Sequence, residues 1–250
     1  MQTATASAWP GADGVEVLLF DVFGTVVDWH GTIVRELARD HPQVDGAAFA
    51  RAWRAGYQPA MQRVRSGELG WTRIDDLHRM ILDAILPQFG LAHLDEAARA
   101  QLNRVWHRLA PWPDAVEGVR RLKARYLCCT LSNGNLGLLT RMARHAGLSW
   151  DCILSAEVFR AYKPDPATYL GAAGVFELPP QRVMLVAAHH DDLAAARACG
   201  LRTAYVERPL EFGSEAPKDV RPRAENDVHS RDLLDLADQL GCPVAGVVRG

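Results

Sequence analysis

The chain has 250 residues, of which 48% are hydrophobic and 23% are charged, values typical of a globular protein with a sizeable core. Its formal net charge is −2 and it has no long basic block, so its composition gives no electrostatic support for binding to nucleic acid. No apolar run approaches the ~18 residues that a membrane-spanning helix needs, so no membrane span is expected.

Residues 1–14 are small and polar and lack the basic start and apolar stretch of a signal peptide, so they predict a disordered lead-in. The five cysteines are an odd number and include no C-x-x-C pair. Cys128 and Cys129 lie in an apolar strand pattern and should point to opposite faces. We therefore expect reduced thiols in a cytoplasmic protein, in preference to disulfides or metal ligands.

The first predicted element is a buried strand that ends at a carboxylate. Residues 17–20 are all apolar, Asp21 follows them, and Gly24 supplies a turn signal. A short apolar run bounded in this way is typical of a strand in a parallel sheet. Open α/β sheets bind ligands at the carboxyl ends of their strands. Asp21 is therefore a candidate nucleophile, base or metal ligand, or simply a helix cap.

Residues 31–108 predict an all-helical insertion, because apolar side chains recur there at helical spacing and no strand-like alternation appears. A proline-containing stretch at residues 110–113 then marks a boundary. Four aromatic residues could line a pocket, although aromatic residues at helical spacing more often belong to the core. These residues are Trp29, Trp53, Tyr57 and Trp112.

After this boundary, strand-like and helix-like patterns alternate, which predicts an α/β fold with a parallel, doubly wound sheet. The chain then divides into a core domain of residues 15–30 and 109–250 and a helical cap domain of residues 31–108. Residues 208–230, rich in Pro, Glu and Arg, predict a long loop. The predicted strands are 126–131, 152–155, 183–186 and 202–206, and the predicted helices are 115–124, 136–146, one starting near 166 with Asp165 as its cap, one ending near 198, and 233–240.

Polar residues follow several of the predicted strands. They are Asp21 and Thr25, Ser132 and Asn133, Lys163, and Asp192. Each alone has an ordinary explanation, as a helix cap, a turn residue or a solvated lysine. Because parallel strands end at one edge of a sheet, these residues together predict one shared pocket.

The order and spacing of these segments resemble the four motifs of the haloacid dehalogenase superfamily. The resemblance covers about residues 16–206 and implies a Rossmann-like core with a cap inserted after the first strand. It also implies that Asp21 is the nucleophile, that Thr25 and Ser132 hold its oxygens or the substrate carboxylate, and that Lys163 balances charge. The matching stretches are Phe20-Asp21-Val22-Phe23-Gly24-Thr25, Leu131-Ser132-Asn133-Gly134, Tyr162-Lys163-Pro164-Asp165 and Asp191-Asp192.

Phe23 separates dehalogenase chemistry from phosphatase chemistry. Phosphatases of the superfamily have a second Asp at this position to protonate an alkoxide leaving group, whereas a departing halide needs only hydrogen-bond donors or a cation. Asp-x-Phe-Gly-Thr resembles the L-2-haloacid dehalogenases. That resemblance implies that Arg54 and Asn133 receive the halide and that Tyr169 and Val22 contribute to substrate binding. The ordinary alternative for Arg54 is a solvated arginine on a cap helix.

For such an enzyme the expected reaction is a two-step hydrolysis. The Asp21 carboxylate attacks C2 of a short (S)-2-haloalkanoate and forms an ester. Water activated by Asp192 then attacks the ester carbonyl and releases the (R)-2-hydroxyalkanoate. Haloacetates, including fluoroacetate, would give glycolate by the same steps. Lys163 keeps Asp21 ionised by its opposite charge.

The fourth motif departs from the usual dehalogenase pattern Ser-Ser-Asn-x-x-Asp. Asp192 is retained, whereas His189 replaces the asparagine and adds a group that titrates near neutrality. His189 could position or activate water, contact the substrate, or simply fill the site. A metal-dependent enzyme would hold Mg²⁺ with Asp21, Asp191 and Asp192. Lys163 and Phe23 favour a site with no metal, and no cofactor is expected.

The expected partner is a small 2-haloacid, with no nucleic acid and no membrane. Homodimers are usual in the resembling family, so a homodimer is expected. Two alternatives stay open, a Mg²⁺-dependent phosphatase of the same superfamily and a non-catalytic binding protein on the same fold. Retention of Asp21, Lys163 and Asp192 weighs against the second alternative.

Overall fold

A parallel sheet forms the centre of the computed structural model, which describes residues 11–242. The strands, in chain order, are β1 (Val17–Phe20), β2 (Val27–Asp28), β3 (Ala110–Pro111), β4 (Leu127–Ser132), β5 (Cys152–Ser155), β6 (Val183–Ala187), β7 (Arg202–Val206) and β8 (Val228–Ser230). Six of them form one parallel sheet in the order β5-β4-β1-β6-β7-β8, and β2 pairs with β3 as a short antiparallel ribbon. Because β1 lies between β4 and β6, the carboxyl ends of these three strands are adjacent.

Helices cover the sheet and make up the regular structure of residues 29–107. The α-helices are α1 (Trp29–Asp40), α2 (Gly46–Ala55), α3 (Tyr57–Arg65), α4 (Ile74–Ile85), α5 (Glu96–Asn103), α6 (Ala115–Leu122), α7 (Leu136–Ala146), α8 (Ala156–Phe159), α9 (Pro166–Val175), α10 (His190–Ala198) and α11 (Leu233–Gln239). Four short 3-10 helices span Ala12–Gly14, Leu86–Phe89, Arg104–His107 and Pro180–Arg182. Among residues 11–242, none of the helices has the length and apolar character needed to cross a membrane.

Local sequence signals explain where several helices begin and end. An aspartate at the N-cap accepts a hydrogen bond from a backbone N–H that has no partner within the helix. The predicted cap of α9 is confirmed, because the Asp165 carboxylate accepts from the Ala167 N–H at 2.9 Å and the helix begins at Pro166. Helix α7 ends at Gly147, whose φ of +69° favours glycine. The other aspartate caps are Asp28, Asp45, Asp95 and Asp232.

The core lies on both faces of the sheet, because neighbouring residues of a strand point in opposite directions. Leu18 of β1 packs in the apolar cluster that extends into the helices of residues 29–107, whereas Leu19 packs with α9 and α10 on the other face. Cys128 and Cys129 divide between the same two clusters, as predicted. All five cysteines are free thiols.

The predicted fold class is confirmed, with a parallel α/β sheet and an all-helical insertion after the first strand. The prediction that residues 208–230 form one long loop is wrong at its end, because Val228 pairs with Ala204 and adds β8 to the sheet edge. Helix α8 was not predicted. The domain boundaries stay a prediction. Residues 1–10 of the predicted lead-in lie outside the described residues, and its last residues form the 3-10 helix Ala12–Gly14.

Candidate active site

The candidate site lies where β1, β4 and β6 end side by side. Asp21 directly follows β1, Ser132 is the last residue of β4, and His189 lies between β6 and α10. Lys163 reaches the same place from the loop that leads into α9. The parallel sheet therefore brings together segments that are far apart in the sequence, as predicted.

A buried lysine joins the two central carboxylates. The Nζ of Lys163 donates to Oδ1 of Asp21 at 2.9 Å and also donates to Oδ2 of Asp192. Burial alone would raise the pKa of Asp21, but the charge of Lys163 and a hydrogen bond from His189 outweigh burial and hold that pKa well below its usual range. Asp21 is therefore a carboxylate at neutral pH, the form that a nucleophile needs.

Asp192 is the more basic of the two carboxylates. Burial and the nearby charge of Asp21 raise its pKa, although the charge of Lys163 opposes the shift. The hydroxyl of Tyr169 donates to Oδ1 of Asp192 at 2.6 Å and fixes its orientation. Two carboxylates whose pKa values move in opposite directions suit a nucleophile and a base.

Thr25 and Asn133 hold the central groups in place. The Oγ1 of Thr25 accepts from the Ala188 N–H at 2.9 Å and donates to Oδ2 of Asp21 at 2.8 Å. The Oδ1 of Asn133 accepts from the Lys163 N–H at 2.8 Å, which fixes the start of the lysine loop. Ser132 accepts from the Gly134 N–H at 3.1 Å and so shapes the turn after β4.

Several of these groups border a cavity of about 90 Å³, a size that suits a ligand of few atoms. The guanidinium of Arg54 stacks over the Tyr57 ring, 4.1 Å from its centroid, and its buried Nη1 has no hydrogen-bond partner among the described residues. A buried cationic donor with a free position can bind an anion. The lining residues are Asp21, Phe23, Arg54, Tyr57, Gln58, Asn133, Lys163, Pro164, His189, Asp191 and Asp192.

Some predicted site residues do not reach the cavity wall. Thr25, Ser132 and Tyr169 lie behind it and contact other residues of the site, while the Val22 side chain is buried in the core. Of the four aromatic residues that could have lined the pocket, only Tyr57 does so. Trp29 and Trp53 are fully buried in the core, and Trp112 donates to the Gly24 carbonyl at 2.9 Å.

Sequence reasoning missed Glu211, which lies in the long loop after β7 and is fully buried. Its Oε1 lies 2.9 Å from Nε2 of His189 and 3.3 Å from Nε1 of Trp29, and its Oε2 accepts from Lys218 at 2.6 Å. The other ring nitrogen of His189 lies 3.0 Å from Oδ2 of Asp21. Burial would lower the pKa of His189, but the charge of Glu211 and a hydrogen bond to Asp21 raise it to about 9.

One sequence feature could have indicated a group above the turn at residue 24. Gly24 has a φ of +84°, and a Cβ there would overlap the Glu211 carboxylate. The glycine therefore meets two requirements at once, a left-handed backbone and a close neighbour. The sequence contains nothing that identifies this neighbour as a residue 187 positions away.

The residues present do not fit a Mg²⁺ ion. Lys163 lies between Asp21 and Asp192 and occupies one oxygen of each, while Thr25 and His189 take the other oxygen of Asp21. Among residues 11–242, no group of three or more His, Cys, Asp or Glu side chains has an arrangement that could hold a metal. A Mg²⁺ ion held by Asp21, Asp191 and Asp192 would need a free oxygen on Asp21, and Asp21 has none.

The sequence and the structure match one family of known proteins. A family model described as haloacid dehalogenase-like hydrolase matches residues 15–200. The crystal structure of the L-2-haloacid dehalogenase PA0810 is 47% identical over 90% of this chain and 99% of that one, with a TM-score of 0.86. The defluorinating L-2-haloacid dehalogenase Rha0230 is 44% identical over 94% and 98%, with a TM-score of 0.88.

A third structure of a relative contains a covalently bound compound. It is the L-2-haloacid dehalogenase from Xanthobacter autotrophicus with chloropropionic acid covalently bound. This relative is 26% identical over 89% of this chain and 97% of its own, with a TM-score of 0.76.

Proposed function

Because this chain belongs to the haloacid dehalogenase-like hydrolases, we propose that it hydrolyses short (S)-2-haloalkanoates to (R)-2-hydroxyalkanoates. Haloacetates would give glycolate in the same way, and the defluorinating relative supports the inclusion of fluoroacetate. One observation carries the proposal. Asp21, held as a carboxylate by Lys163, borders a small cavity that is also lined by Arg54, whose Nη1 has no partner among the described residues, and by Phe23, which supplies no acid.

The first step is displacement of the halide at C2. An oxygen of Asp21 attacks C2 from the side opposite the halogen, the carbon–halogen bond breaks, and the halide leaves with the bonding electrons. Arg54 and Asn133 border the cavity and can donate to the departing anion. Phe23 cannot supply a proton, and a halide does not need one.

The contacts of Asp21 indicate which oxygen attacks. Its Oδ2 accepts from Thr25 and from His189, whereas Oδ1 accepts only from Lys163 among the described residues. An oxygen with fewer donors keeps more of its electron density for attack. We therefore assign Oδ1 as the nucleophile and Oδ2 as the carbonyl oxygen of the ester.

The second step is hydrolysis of the ester. Asp192 takes a proton from water as the water oxygen bonds to Cγ of Asp21. The bond between Cγ and Oδ1 then breaks, and Oδ1 leaves as the hydroxyl oxygen of the product. That oxygen needs a proton, which Lys163 can donate while it regains one from Asp192, because it contacts both. Attack at C2 followed by hydrolysis at Cγ implies inversion at C2.

The assembly and the location of the protein are part of the same proposal. Five free thiols suit a reducing compartment, which supports the cytoplasm. The family resemblance supports a homodimer, which light scattering during gel filtration would test.

A halide-release assay tests the proposed function. We expect release from (S)-2-chloropropionate with EDTA present, (R)-lactate as the product, and little turnover of the (R)-enantiomer; chloro-, bromo- and fluoroacetate complete the panel. Asp21→Asn should release no halide. Asp219→Asn, which alters an exposed ion pair with Arg221, is the matched control and should keep full activity. Phosphate release that EDTA abolishes, with no halide from any substrate, would overturn the proposal.

A further inference from the structure

His189 lies between two carboxylates. Its Nδ1 is 3.0 Å from Oδ2 of Asp21, and its Nε2 is 2.9 Å from Oε1 of Glu211. An ionised carboxylate accepts hydrogen bonds and donates none, so both ring nitrogens must carry a proton. Because the pKa values of Asp21 and Glu211 are both lowered, both are ionised, and this geometry then requires an imidazolium. An imidazolium cannot take a proton from water, so His189 is not the base in the resting enzyme.

Two donors converge on one oxygen of the nucleophile. The Thr25 oxygen accepts from the Ala188 N–H while its hydroxyl proton is donated to Oδ2 of Asp21, and the Nδ1–H of His189 is directed to the same atom. This pair of donors has the geometry of an oxyanion hole, with both atoms at hydrogen-bond distance before the reaction begins.

We propose that His189 is a catalytic residue of the ester-hydrolysis step, in which its charged Nδ1–H and the Thr25 hydroxyl stabilise the oxyanion that forms at Oδ2 of Asp21. This inference rests on the proposed function, because it concerns the ester that the first step forms. It gives the histidine that replaces the family's asparagine an electrophilic role, not the role of a base.

The electrons and protons of the step balance with this assignment. When water adds to Cγ, the carbonyl π electrons move to Oδ2, which becomes negatively charged between Thr25 and His189. Asp192 holds the proton from water. When the carbonyl reforms, the electrons return from Oδ2, the bond between Cγ and Oδ1 breaks, and the product oxygen takes a proton through Lys163. The second proton of the water stays on the new oxygen of Asp21 and is released to solvent, which restores the Asp21 carboxylate. His189 keeps both of its protons throughout.

Glu211 is the positioning residue for this imidazolium. It does not border the cavity, and it acts through Nε2 of His189 while Lys218 and Trp29 hold its own oxygens. Loss of the Asp21 charge during ester formation removes one of the two anions that favour the imidazolium. Glu211 remains as the second, so His189 keeps its charge at the moment when Oδ2 needs a donor.

Separate measurement of the two half-reactions tests the proposal. Rapid-quench assays give the rate of the first halide release, and intact-protein mass spectrometry gives the fraction of enzyme present as the ester. We expect His189→Asn and Glu211→Gln to release the first halide at a rate within a few-fold of wild type. His189→Ala removes the donor. Its steady-state turnover should fall by about 10²–10³-fold, the effect of removing one oxyanion donor. The ester should accumulate in all three variants.

Two controls match these changes. His190→Asn alters the adjacent histidine, which stacks on Tyr205 and does not border the cavity. Glu207→Gln alters another carboxylate at the start of the same loop, which pairs with His229 at 2.7 Å. Both should keep wild-type kinetics with no accumulation of ester. Circular dichroism and thermal melts establish that each variant is folded.

Two outcomes would overturn the inference. In one, the His189 and Glu211 variants slow the first halide release as much as steady-state turnover and accumulate no ester, which places His189 in the first step. In the other, the folded variants keep wild-type turnover. A wild-type enzyme that releases no halide and forms no adduct would instead contradict the proposed function itself, so the two failures are distinguishable.

Discussion

At the scale of single residues, the site depends on alternating charges. Lys163 separates Asp21 from Asp192, and His189 separates Asp21 from Glu211. Each buried charge therefore has a partner of opposite sign, which is the condition under which buried charges are tolerated. The unpaired donor of Arg54 is the exception, and it belongs to a side chain that borders the cavity in which an anionic substrate and a halide would lie.

Replacement of Lys163 by methionine should abolish turnover and destabilise the fold. Asp21 and Asp192 would lose the cation between them, and loss of one partner of a buried pair costs about 3–5 kcal/mol. Both carboxylates would then have raised pKa values in the folded state, so the loss of stability should be largest at neutral pH and smaller near pH 4. Urea unfolding at both pH values measures this. Lys123→Met, which alters a more exposed pair with Asp151, should lose no more than about 1 kcal/mol.

The turnover rate should fall in alkaline solution. His189 is protonated below its pKa of about 9, and the site loses a positive charge above that pH. We expect kcat for (S)-2-chloropropionate to decrease as the pH rises through this region, because ester hydrolysis then loses its charged donor. In Glu211→Gln the decrease should move to lower pH, because Glu211 is the largest influence that raises the pKa of His189. Asp21 is the other anion that faces the imidazole, while Lys218 and Lys163 lie beyond these two carboxylates. An alkaline decrease that occurs at the same pH in Glu211→Gln as in wild type would contradict this assignment.

The sequence alone was sufficient to predict Asp21, Lys163 and Asp192 as neighbours, because each lies in a segment that follows a predicted strand and parallel strands end at one edge. It was not sufficient for Glu211. That residue lies in a loop rich in Pro, Glu and Arg, where an acidic side chain is ordinarily solvated, and only the path of the loop in three dimensions places it against His189.

At the scale of secondary structure elements, the turn after β1 connects the sheet to the loop that carries Glu211. Gly24 allows the turn its positive φ and leaves the space that the Glu211 carboxylate occupies. The same turn places Thr25 beneath Asp21. The nucleophile and the support for His189 therefore depend on one short segment.

We expect Gly24→Ala to lower turnover and to destabilise the protein by about 1–3 kcal/mol, because the new Cβ is strained at this φ and overlaps Glu211. The ester should accumulate, as in Glu211→Gln, if displacement of the loop releases His189. Thermal melts and mass spectrometry during turnover would measure the two effects. Gly174→Ala is the control, because its Cβ would meet nothing within 4 Å and its φ is not positive.

Most elements of the sheet could be predicted because each combines an apolar run with a turn signal. The predicted ranges 152–155 and 202–206 agree with β5 and β7. Strand β8 has only three residues, and α8 has four, so neither is long enough for a periodic pattern. Strand β8 forms because β7 offers it backbone partners, which the local sequence does not reveal.

At the scale of the whole molecule, the sheet and the helices of residues 29–107 share one aromatic cluster. The Trp106 ring stacks on His78 at a centroid distance of 4.1 Å and meets the edges of Phe23 and Trp53 at 5.7 and 5.5 Å. Phe23 belongs both to this cluster and to the cavity wall. The position of the helical insertion and the shape of the cavity are therefore coupled.

We expect Trp106→Ala to destabilise the protein by about 3–5 kcal/mol, the range for removal of a large buried aromatic side chain. It should also raise KM for (S)-2-chloropropionate, because Phe23 would lose a packing partner at the cavity wall. Trp106→Phe should show a smaller form of both effects. Denaturant unfolding and steady-state kinetics measure them, and a destabilised variant with an unchanged KM would show that the cavity does not depend on this contact.

The helical nature of the insertion could be predicted from its periodicity, but the contact between the insertion and the sheet could not. Trp29 and Trp53 have helical spacing, which is equally consistent with a pocket wall and with a core. The structure places them in the core because Trp106, far along the chain, fills the space between them and Phe23.

A single turnover in H₂¹⁸O tests the central claim, that Asp21 forms a covalent ester, most directly. With enzyme in excess over (S)-2-chloropropionate, the lactate should contain no ¹⁸O, because its hydroxyl oxygen comes from Asp21. Mass spectrometry of the peptide that contains Asp21 should show one ¹⁸O. Lactate labelled in the first turnover, with an unlabelled Asp21, would show that water attacks C2 directly and would contradict the account.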